Sequence, residues 1–303
     1  MTALHGIITS LPTPFDGRGA LDTEALAREV AHQVRSGAHG LCVLGGTGEF
    51  FSLTPEERTK VVDVSAKARR SAGARGPLVV ANFLRDDGEW VVFGETARAA
   101  GADAVMLAPP AFYKPNRRQF VSLLERLARR TSVPLVVFHT PGRSGVRFTP
   151  SELVEIVEAV PSVVGIKDSS ADMVALAKVH HALGSRCALL QGNDELYVAS
   201  LAVGCVGGIL AMPSAFPDVF AKMQAAWDAR STDEARALQL ALLPVLDIVN
   251  GEPMPVLVKA AMDLVGHPVG SVRSPLCAET PEARRALKDA IARFRGELER
   301  RAA

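Results

Sequence analysis

The chain has 303 residues, of which 48% are hydrophobic and 22% are charged, and its net charge is +1. This length can bury a large core, and the near-neutral charge gives no electrostatic basis for binding nucleic acid or a membrane surface. No segment carries about 18 uninterrupted apolar residues, and the N-terminal residues lack the pattern of a secretory leader. We therefore expect a cytoplasmic protein without nucleic-acid or membrane partners.

Short apolar segments alternate with longer helical patterns along most of the chain. Amphipathic segments such as DTEALAREVAHQVRSG and PSELVEIVEAV predict helices between strands. Eight strand and helix units with nearly continuous apolar strands favour a parallel TIM (β/α)8 barrel. An open doubly wound sheet is the alternative, but no GxGxxG follows the first strand. The predicted strands are Gly6–Leu11, Leu41–Leu44, Leu78–Asn82, Ala104–Ala108, Leu135–Phe138, Val163–Lys167, Ala188–Gln191 and Gly207–Ala211.

More helical patterns follow the eighth strand than a barrel needs. They lie at Phe216–Ala229, Asp233–Asn250, Pro255–Val265 and Pro281–Arg300. Because one helix is enough to finish a barrel, we expect a barrel with the active site over residues 1–230. Residues 231–303 are then a C-terminal helical extension, packed on the barrel or against another subunit. No linker rich in Pro, Gly or Ser separates the two parts.

Lys167 ends the apolar segment SVVGIK, which has the pattern of a buried strand. Removing an ammonium group from water costs several kcal/mol unless the group is paired or loses its proton. The side chain either reaches the surface on its flexible stem or serves as a neutral, nucleophilic amine. Active sites of such barrels lie at the C-terminal ends of the strands, which favours the nucleophile.

Other strand ends carry groups suited to an anionic substrate. The second strand is followed by GGTGE, where Gly46, Thr47 and Gly48 present backbone N–H groups and a hydroxyl to a carboxylate. A tight strand-to-helix turn is the structural alternative. Arg143 follows the fifth strand in PGRSG. A cation there favours the neutral form of Lys167 and can also clamp a substrate carboxylate.

Metal chemistry has little support in the sequence. The cysteines Cys42, Cys187, Cys205 and Cys277 form no CxxC pair, and the histidines are dispersed. We therefore expect neither a metal nor another cofactor. An NAD enzyme or a sugar-phosphate barrel fits less well, because no dinucleotide turn or glycine-rich phosphate signature is present.

The ordered segments GGTGE, PPAFYKP, PGRSG, GIKDSS and QGND resemble the dihydrodipicolinate synthase and N-acetylneuraminate lyase family of Schiff-base barrel enzymes. The resemblance begins at Thr13 and covers most of the chain. It implies that Lys167 forms an imine with pyruvate or another 2-oxo acid, and that the GGTGE turn holds the carboxylate. It also implies a homodimer or homotetramer. Ser169, Gly192 and Ile209 are further predicted substrate-binding residues.

Three positions depart from the synthase pattern of this family. Phe138 stands where the fifth strand usually ends in a proton-relaying tyrosine, Gly46 replaces a hydroxyl residue, and Phe112 replaces a second tyrosine. The loss of all three hydroxyls argues against a true dihydrodipicolinate synthase. Phe112 and Phe138 are instead expected to contact the substrate.

Another group must then move protons, since imine chemistry needs general acids and bases. The candidates are His139, Tyr113, Thr140, Ser169, the substrate carboxylate and an ordered water. Strand alternation turns His139 away from Phe138, so a packed histidine is its alternative role. Tyr113 lies one place from the expected tyrosine, on a loop.

The leading hypothesis is a metal-free class I lyase, either an aldolase that makes or cleaves a pyruvate adduct or a dehydratase of a 2-oxo-3-deoxy sugar acid. The stretch GGTGEFFSLTPEE resembles 5-dehydro-4-deoxyglucarate dehydratases, whereas Arg143 resembles the synthase branch. The alternative is a paralogue or sensor that binds a 2-oxo acid without converting it.

Overall fold

The computed structural model describes residues 4–84 and 86–302 of the chain. Eight strands form a closed barrel in which they follow one another in chain order. The pairs from the third strand to the eighth are parallel, and the fold is the predicted TIM barrel. The strands are β1 (Gly6–Ser10), β2 (Gly40–Val43), β3 (Leu78–Ala81), β4 (Ala104–Leu107), β5 (Leu135–His139), β6 (Val163–Asp168), β7 (Ala188–Gln191) and β8 (Gly207–Leu210).

Helices connect the strands and continue after the eighth. They are α1 (Thr23–Arg35), α2 (Pro55–Ser71), α3 (Asp87–Ala100), α4 (Arg117–Arg130), α5 (Pro141–Ser144), α6 (Pro150–Ala159), α7 (Met173–Leu183), α8 (Tyr197–Ala202), α9 (Pro217–Asp228), α10 (Thr232–Val249), α11 (Val256–Leu264) and α12 (Pro281–Ala302). At the start of α2, Thr54 and Glu57 form a reciprocal capping box, which satisfies backbone donors at the helix start.

The chain forms two compact units, and segments of the two units alternate along the sequence. The first contains residues 4–8, 39–42, 75–84 and 86–210. Its core joins alternate strand residues, such as Val137 and Ile166, to helix residues such as Phe120 and Leu176. Because side chains alternate along a strand, Phe138 and Lys167 then point to the opposite face, which is the barrel interior.

A register shift between β5 and β6 aligns the residues that matter for chemistry. Leu135 pairs with Val163 but Val136 pairs with Gly165, so one extra residue lies on β6. This bulge places Phe138 beside Lys167 and His139 beside Asp168. Bulges of this kind re-aim side chains near active sites.

The second unit contains residues 9–38, 43–74 and 211–302. Two of its helices, α1 and α2, start with side-chain caps; at α1, Asp22 accepts a hydrogen bond from the Ala25 N–H. Phe216 and Phe294 stack edge to face with centroids 5.4 Å apart, which ties α12 to the start of α9.

All predicted strands are confirmed, and their observed ends differ from the predicted ones by about one residue. The helical segments predicted after the eighth strand are also confirmed, as α9 to α12. The division into a barrel over 1–230 and an extension over 231–303 stays a prediction. Among the described residues, no helix is long and apolar enough to cross a membrane.

Candidate active site

Lys167 is buried in the interior of the first unit. Its side chain is 7% exposed, and Nζ lies 4.4 Å from the centroid of the Phe138 ring. The negative face of an aromatic ring attracts a cation, so Phe138 stabilises the ammonium form of the lysine. Phe138 supplies no hydroxyl at the position where the family pattern usually has a tyrosine.

The surroundings of Lys167 favour its neutral form. Burial is the largest influence and lowers the pKa of Lys167 from its ordinary value of 10.5 to about 8. The charge of Arg143 lowers this pKa further, whereas Cys42 and Asp194 raise it. At pH 7 about a tenth of the amine is then unprotonated, against fewer than about one in a thousand for an ordinary lysine. The amine is therefore ready to act as a nucleophile.

Arg143 lies in the short helix α5, directly after β5. Its residue is exposed to solvent, yet enough protein surrounds the guanidinium that desolvation lowers the pKa of Arg143. The loop that carries it is fixed by Ser144, whose hydroxyl donates to the Thr140 carbonyl oxygen at 3.0 Å. An exposed guanidinium on a fixed loop is suited to bidentate recognition of a carboxylate.

Gly192 and Ser169 pack closely around the lysine. A Cβ atom on Gly192 would overlap with Ser169 Oγ and would lie 3.0 Å from Lys167 Cε. Position 192 therefore accepts only glycine while Lys167 and Ser169 keep these positions. The same geometry brings the Ser169 hydroxyl close to the lysine stem. Ile209, in β8, is fully buried.

His139 is held in a buried pair on the opposite face of β5. Its Nδ1 lies 2.6 Å from Asp168 Oδ2, and its Nε2 accepts the Phe148 N–H at 3.1 Å. An Nε2 that accepts leaves the proton on Nδ1, which then donates to the carboxylate. Both ring nitrogens therefore make hydrogen bonds to groups other than Lys167. These bonds favour the packed histidine, and they give no geometric support to a catalytic role.

Phe112 and Tyr113 lie on the loop after β4 and are exposed, at 85% and 76% respectively. Their rings contact each other edge to face, with centroids 5.5 Å apart. Both side chains are largely open to solvent, so their exposure gives no support to the predicted roles of Phe112 in substrate contact and of Tyr113 in proton transfer.

The predicted carboxylate-binding turn belongs to the second unit. Leu44 (φ 63°) and Glu49 (φ 54°) flank it in left-handed conformations, which non-glycine residues adopt only when the surroundings hold them there. Gly48 packs so tightly that a Cβ atom would lie 2.7 Å from the Leu44 nitrogen. Thr47 is buried, whereas Gly46 is exposed. The turn is therefore rigid and offers its backbone at Gly46.

Four contacts hold this turn, and the sequence pattern does not predict them. Glu49 forms a buried ion pair with Lys259 at 2.7 Å and accepts the Arg273 N–H at 2.9 Å. Thr13 Oγ1 donates to the Gly48 carbonyl oxygen at 2.6 Å. Ser10 Oγ donates to Thr47 Oγ1 at 3.3 Å. The partners are far apart in sequence, and the one available signal was a lysine inside the apolar pattern of α11.

Metal-ligating side chains are not gathered anywhere in the part of the chain that the structure describes: no group of three or more His, Cys, Asp or Glu residues could hold a metal ion. The first unit carries the buried Lys167 amine, the Arg143 guanidinium and the Ser169 hydroxyl. They are suited to imine formation with an anionic carbonyl compound.

The sequence model of the dihydrodipicolinate synthetase family matches residues 3–294. The chain belongs to this family. It is 32% identical over 273 residues to a 4-hydroxy-tetrahydrodipicolinate synthase of Brucella abortus, with 90% of this chain and 92% of that protein covered. Membership in the dihydrodipicolinate synthetase family supports a lyase of the Schiff-base aldolase type.

Solved structures of the dihydrodipicolinate synthetase family share this fold. A dihydrodipicolinate synthase from Bacillus anthracis superposes with a TM-score of 0.90 at 28% identity, covering 96% of this chain and 99% of its own. The 4-hydroxy-tetrahydrodipicolinate synthase of Methylacidiphilum fumariolicum superposes with a TM-score of 0.92 at 26% identity, covering 98% of both chains. The family resemblance is thereby confirmed.

Proposed function

We propose that this protein is a class I lyase that binds pyruvate or a 2-oxo-3-deoxy sugar acid as a Schiff base on Lys167. The observation that carries the proposal is the buried Lys167 amine, which is 7% exposed and whose pKa burial lowers to about 8. Burying such a group costs stability, and a nucleophilic role accounts for that cost.

The first step is attack of the neutral Lys167 Nζ on the C2 carbonyl carbon of the substrate. The C2–O bond breaks as the carbonyl oxygen takes one proton from the attacking nitrogen and one from solvent and leaves as water, and a protonated imine remains. That cation forms where the ammonium now lies, 4.4 Å from the Phe138 ring centroid. Phe138 would stabilise it through the ring face, which a tyrosine could do as well while also relaying a proton.

The carboxylate of the 2-oxo acid would be bound by Gly46, Thr47 and Gly48, as the family pattern implies. The rigid conformation of the turn supports this assignment, because fixed donors need little reorganisation when an anion binds. Arg143 would bind a second anionic group on the substrate, as its exposed guanidinium supports.

Ser169 is the proton carrier that we propose in place of the missing tyrosine. Its hydroxyl and the Lys167 stem pack against the same face of Gly192, which supports transfer to or from the imine. His139 is engaged by Asp168 and Phe148, and Tyr113 is exposed, so both have weaker support.

We propose that the substrate differs from that of a true dihydrodipicolinate synthase. The curated relatives carry that name, but Gly46, Phe112 and Phe138 leave this chain without the three relay hydroxyls of the synthase pattern. An aldolase and a dehydratase both remain compatible with the imine, and both would act in a cytoplasmic homodimer or homotetramer.

Product analysis separates the candidate reactions. Purified protein would be incubated with a panel of 2-oxo-3-deoxy sugar acids, and separately with pyruvate and aldehydes. Release or consumption of pyruvate identifies an aldolase, and loss of water with the carbon chain intact identifies a dehydratase. Lys167→Ala should abolish either turnover. A variant that keeps 2-oxo acid binding, together with a wild type that converts no substrate, would instead identify the non-catalytic binder.

A further inference from the structure

We propose that Ser10 is a positioning residue for the 2-oxo acid carboxylate, acting through the Thr47 hydroxyl. The inference rests on the proposed function, because it presupposes that the GGTGE turn binds a carboxylate. Ser10 is the last residue of β1 and is only 2% exposed. Nothing in its sequence context marks it as functional.

The Ser10 hydroxyl lies directly against the turn. Its Oγ donates to Thr47 Oγ1 at 3.3 Å, in a bond that is buried on both sides. The same oxygen would lie 3.2 Å from a Cβ atom placed on Gly45. The hydroxyl therefore fills the space behind the turn, and a larger residue at position 45 would displace it.

This bond determines what the Thr47 hydroxyl can do. A hydroxyl has one proton to donate and two lone pairs that accept. Because Thr47 Oγ1 accepts the Ser10 proton, its own proton stays free to donate to a further acceptor. A carboxylate is an acceptor-only group, and a donor that is itself accepting a hydrogen bond is polarised and donates more strongly. Ser10 thus prepares Thr47 to donate to an anion.

A buried network holds Ser10 at this place. The Ser10 carbonyl oxygen accepts from Ser214 Oγ at 3.3 Å, and Gln33 Nε2 donates to the Ser214 carbonyl oxygen at 3.1 Å. Thr9 Oγ1 donates to Gln33 Oε1 at 3.0 Å. The end of β1 is therefore fixed from the helix side, while the Ser10 hydroxyl faces the turn.

A buried serine outside this network provides a matched control. Ser200, in α8, is buried like Ser10, but its hydroxyl donates to the Tyr197 carbonyl oxygen at 2.6 Å and not to the turn. Ser200→Ala and Ser10→Ala each delete one buried serine hydroxyl. If both hydroxyls were purely structural, both variants would lower the melting temperature and neither would change the half-saturating pyruvate concentration.

The experiment measures imine formation by borohydride trapping across a range of pyruvate concentrations, together with thermal unfolding. Ser10→Ala should raise the half-saturating pyruvate concentration by about 5- to 10-fold, the loss expected for one hydrogen bond between neutral groups. The trapping rate at saturation should stay near that of the wild type. Ser200→Ala should keep the wild-type half-saturating concentration. In a Thr47→Val background, Ser10→Ala should add no further change.

Ser10→Cys gives a second variant of similar volume with a weak donor, and it should also raise the half-saturating concentration. Equal saturation of wild type, Ser10→Ala and Ser10→Cys would overturn the inference while leaving the proposed function intact. The inference would also be overturned if Ser10→Ala raised the half-saturating concentration by the same factor in the Thr47→Val background as in the wild type. A wild type that traps neither pyruvate nor any other 2-oxo acid would overturn the proposed function, and the inference with it.

Discussion

Replacing Lys167 with methionine should make the protein more stable, although it removes the proposed nucleophile. The pKa of Lys167 is about 8 in the folded protein against an ordinary 10.5, and about 1.4 kcal/mol separates pKa values that differ by one. The burial of the charged amine therefore costs about 3 kcal/mol of folding free energy wherever the lysine is protonated in both states. Methionine has a similar length and no charge to desolvate.

The lowered pKa of Lys167 also determines how the stability difference between wild type and variant changes with pH. Between pH 8 and 10.5 the unfolded chain binds this proton and the folded chain does not, so wild-type stability gains with rising pH relative to the variant. Lys167→Met should thus be more stable by about 3 kcal/mol below pH 8, and the difference should fade towards pH 10.5. Denaturant unfolding of both proteins from pH 6 to 10 measures it. A variant that is less stable at pH 7, or a difference that does not change with pH, would refute a buried, depressed amine.

Two further predictions concern the surroundings of this amine. Asp194 raises the pKa of Lys167, so Asp194→Asn should move the pH of half-maximal imine formation to a lower value. The borohydride trapping rate against pH measures this midpoint, and an unchanged or higher midpoint would contradict the electrostatic account. Gly192→Ala should reduce trapping by about 100-fold or more, because its Cβ atom would meet Lys167 and Ser169. Gly142→Ala is the control and should trap like the wild type, since nothing lies within 4 Å of a Cβ atom there. Equal trapping by the two variants would show that the lysine has more room than its packing implies.

The strand pattern was sufficient to predict the barrel. Segments such as LVVA and AVML are buried along their whole length, as strands covered on both faces must be, so continuous apolar residues identified them. The same pattern made Lys167 stand out, because a charge inside it has few structural explanations. Strand alternation also predicted the direction of the His139 ring, which the pair with Asp168 matches.

Long-range contacts could not be predicted in the same way. Glu49 and Lys259 pair across 210 positions of sequence, and local periodicity contains no information about such partners. In the sequence, Ser10 is an ordinary residue at a strand end, and only the folded structure brings its hydroxyl against Thr47. The bulge that aligns Phe138 with Lys167 also follows from pairing between strands, and a single strand sequence does not specify it.

Borohydride trapping with pyruvate, followed by intact mass and peptide mapping, tests the central claim most directly. Lys259 is an internal control, since it is also a buried lysine whose pKa is lowered by desolvation, but it is paired with Glu49. We predict one adduct per chain, with the mass of pyruvate less one water plus two hydrogens, on the peptide that contains Lys167. An adduct on Lys259, or no adduct with pyruvate or any 2-oxo-3-deoxy acid, would contradict the assignment of Lys167 as the imine-forming residue.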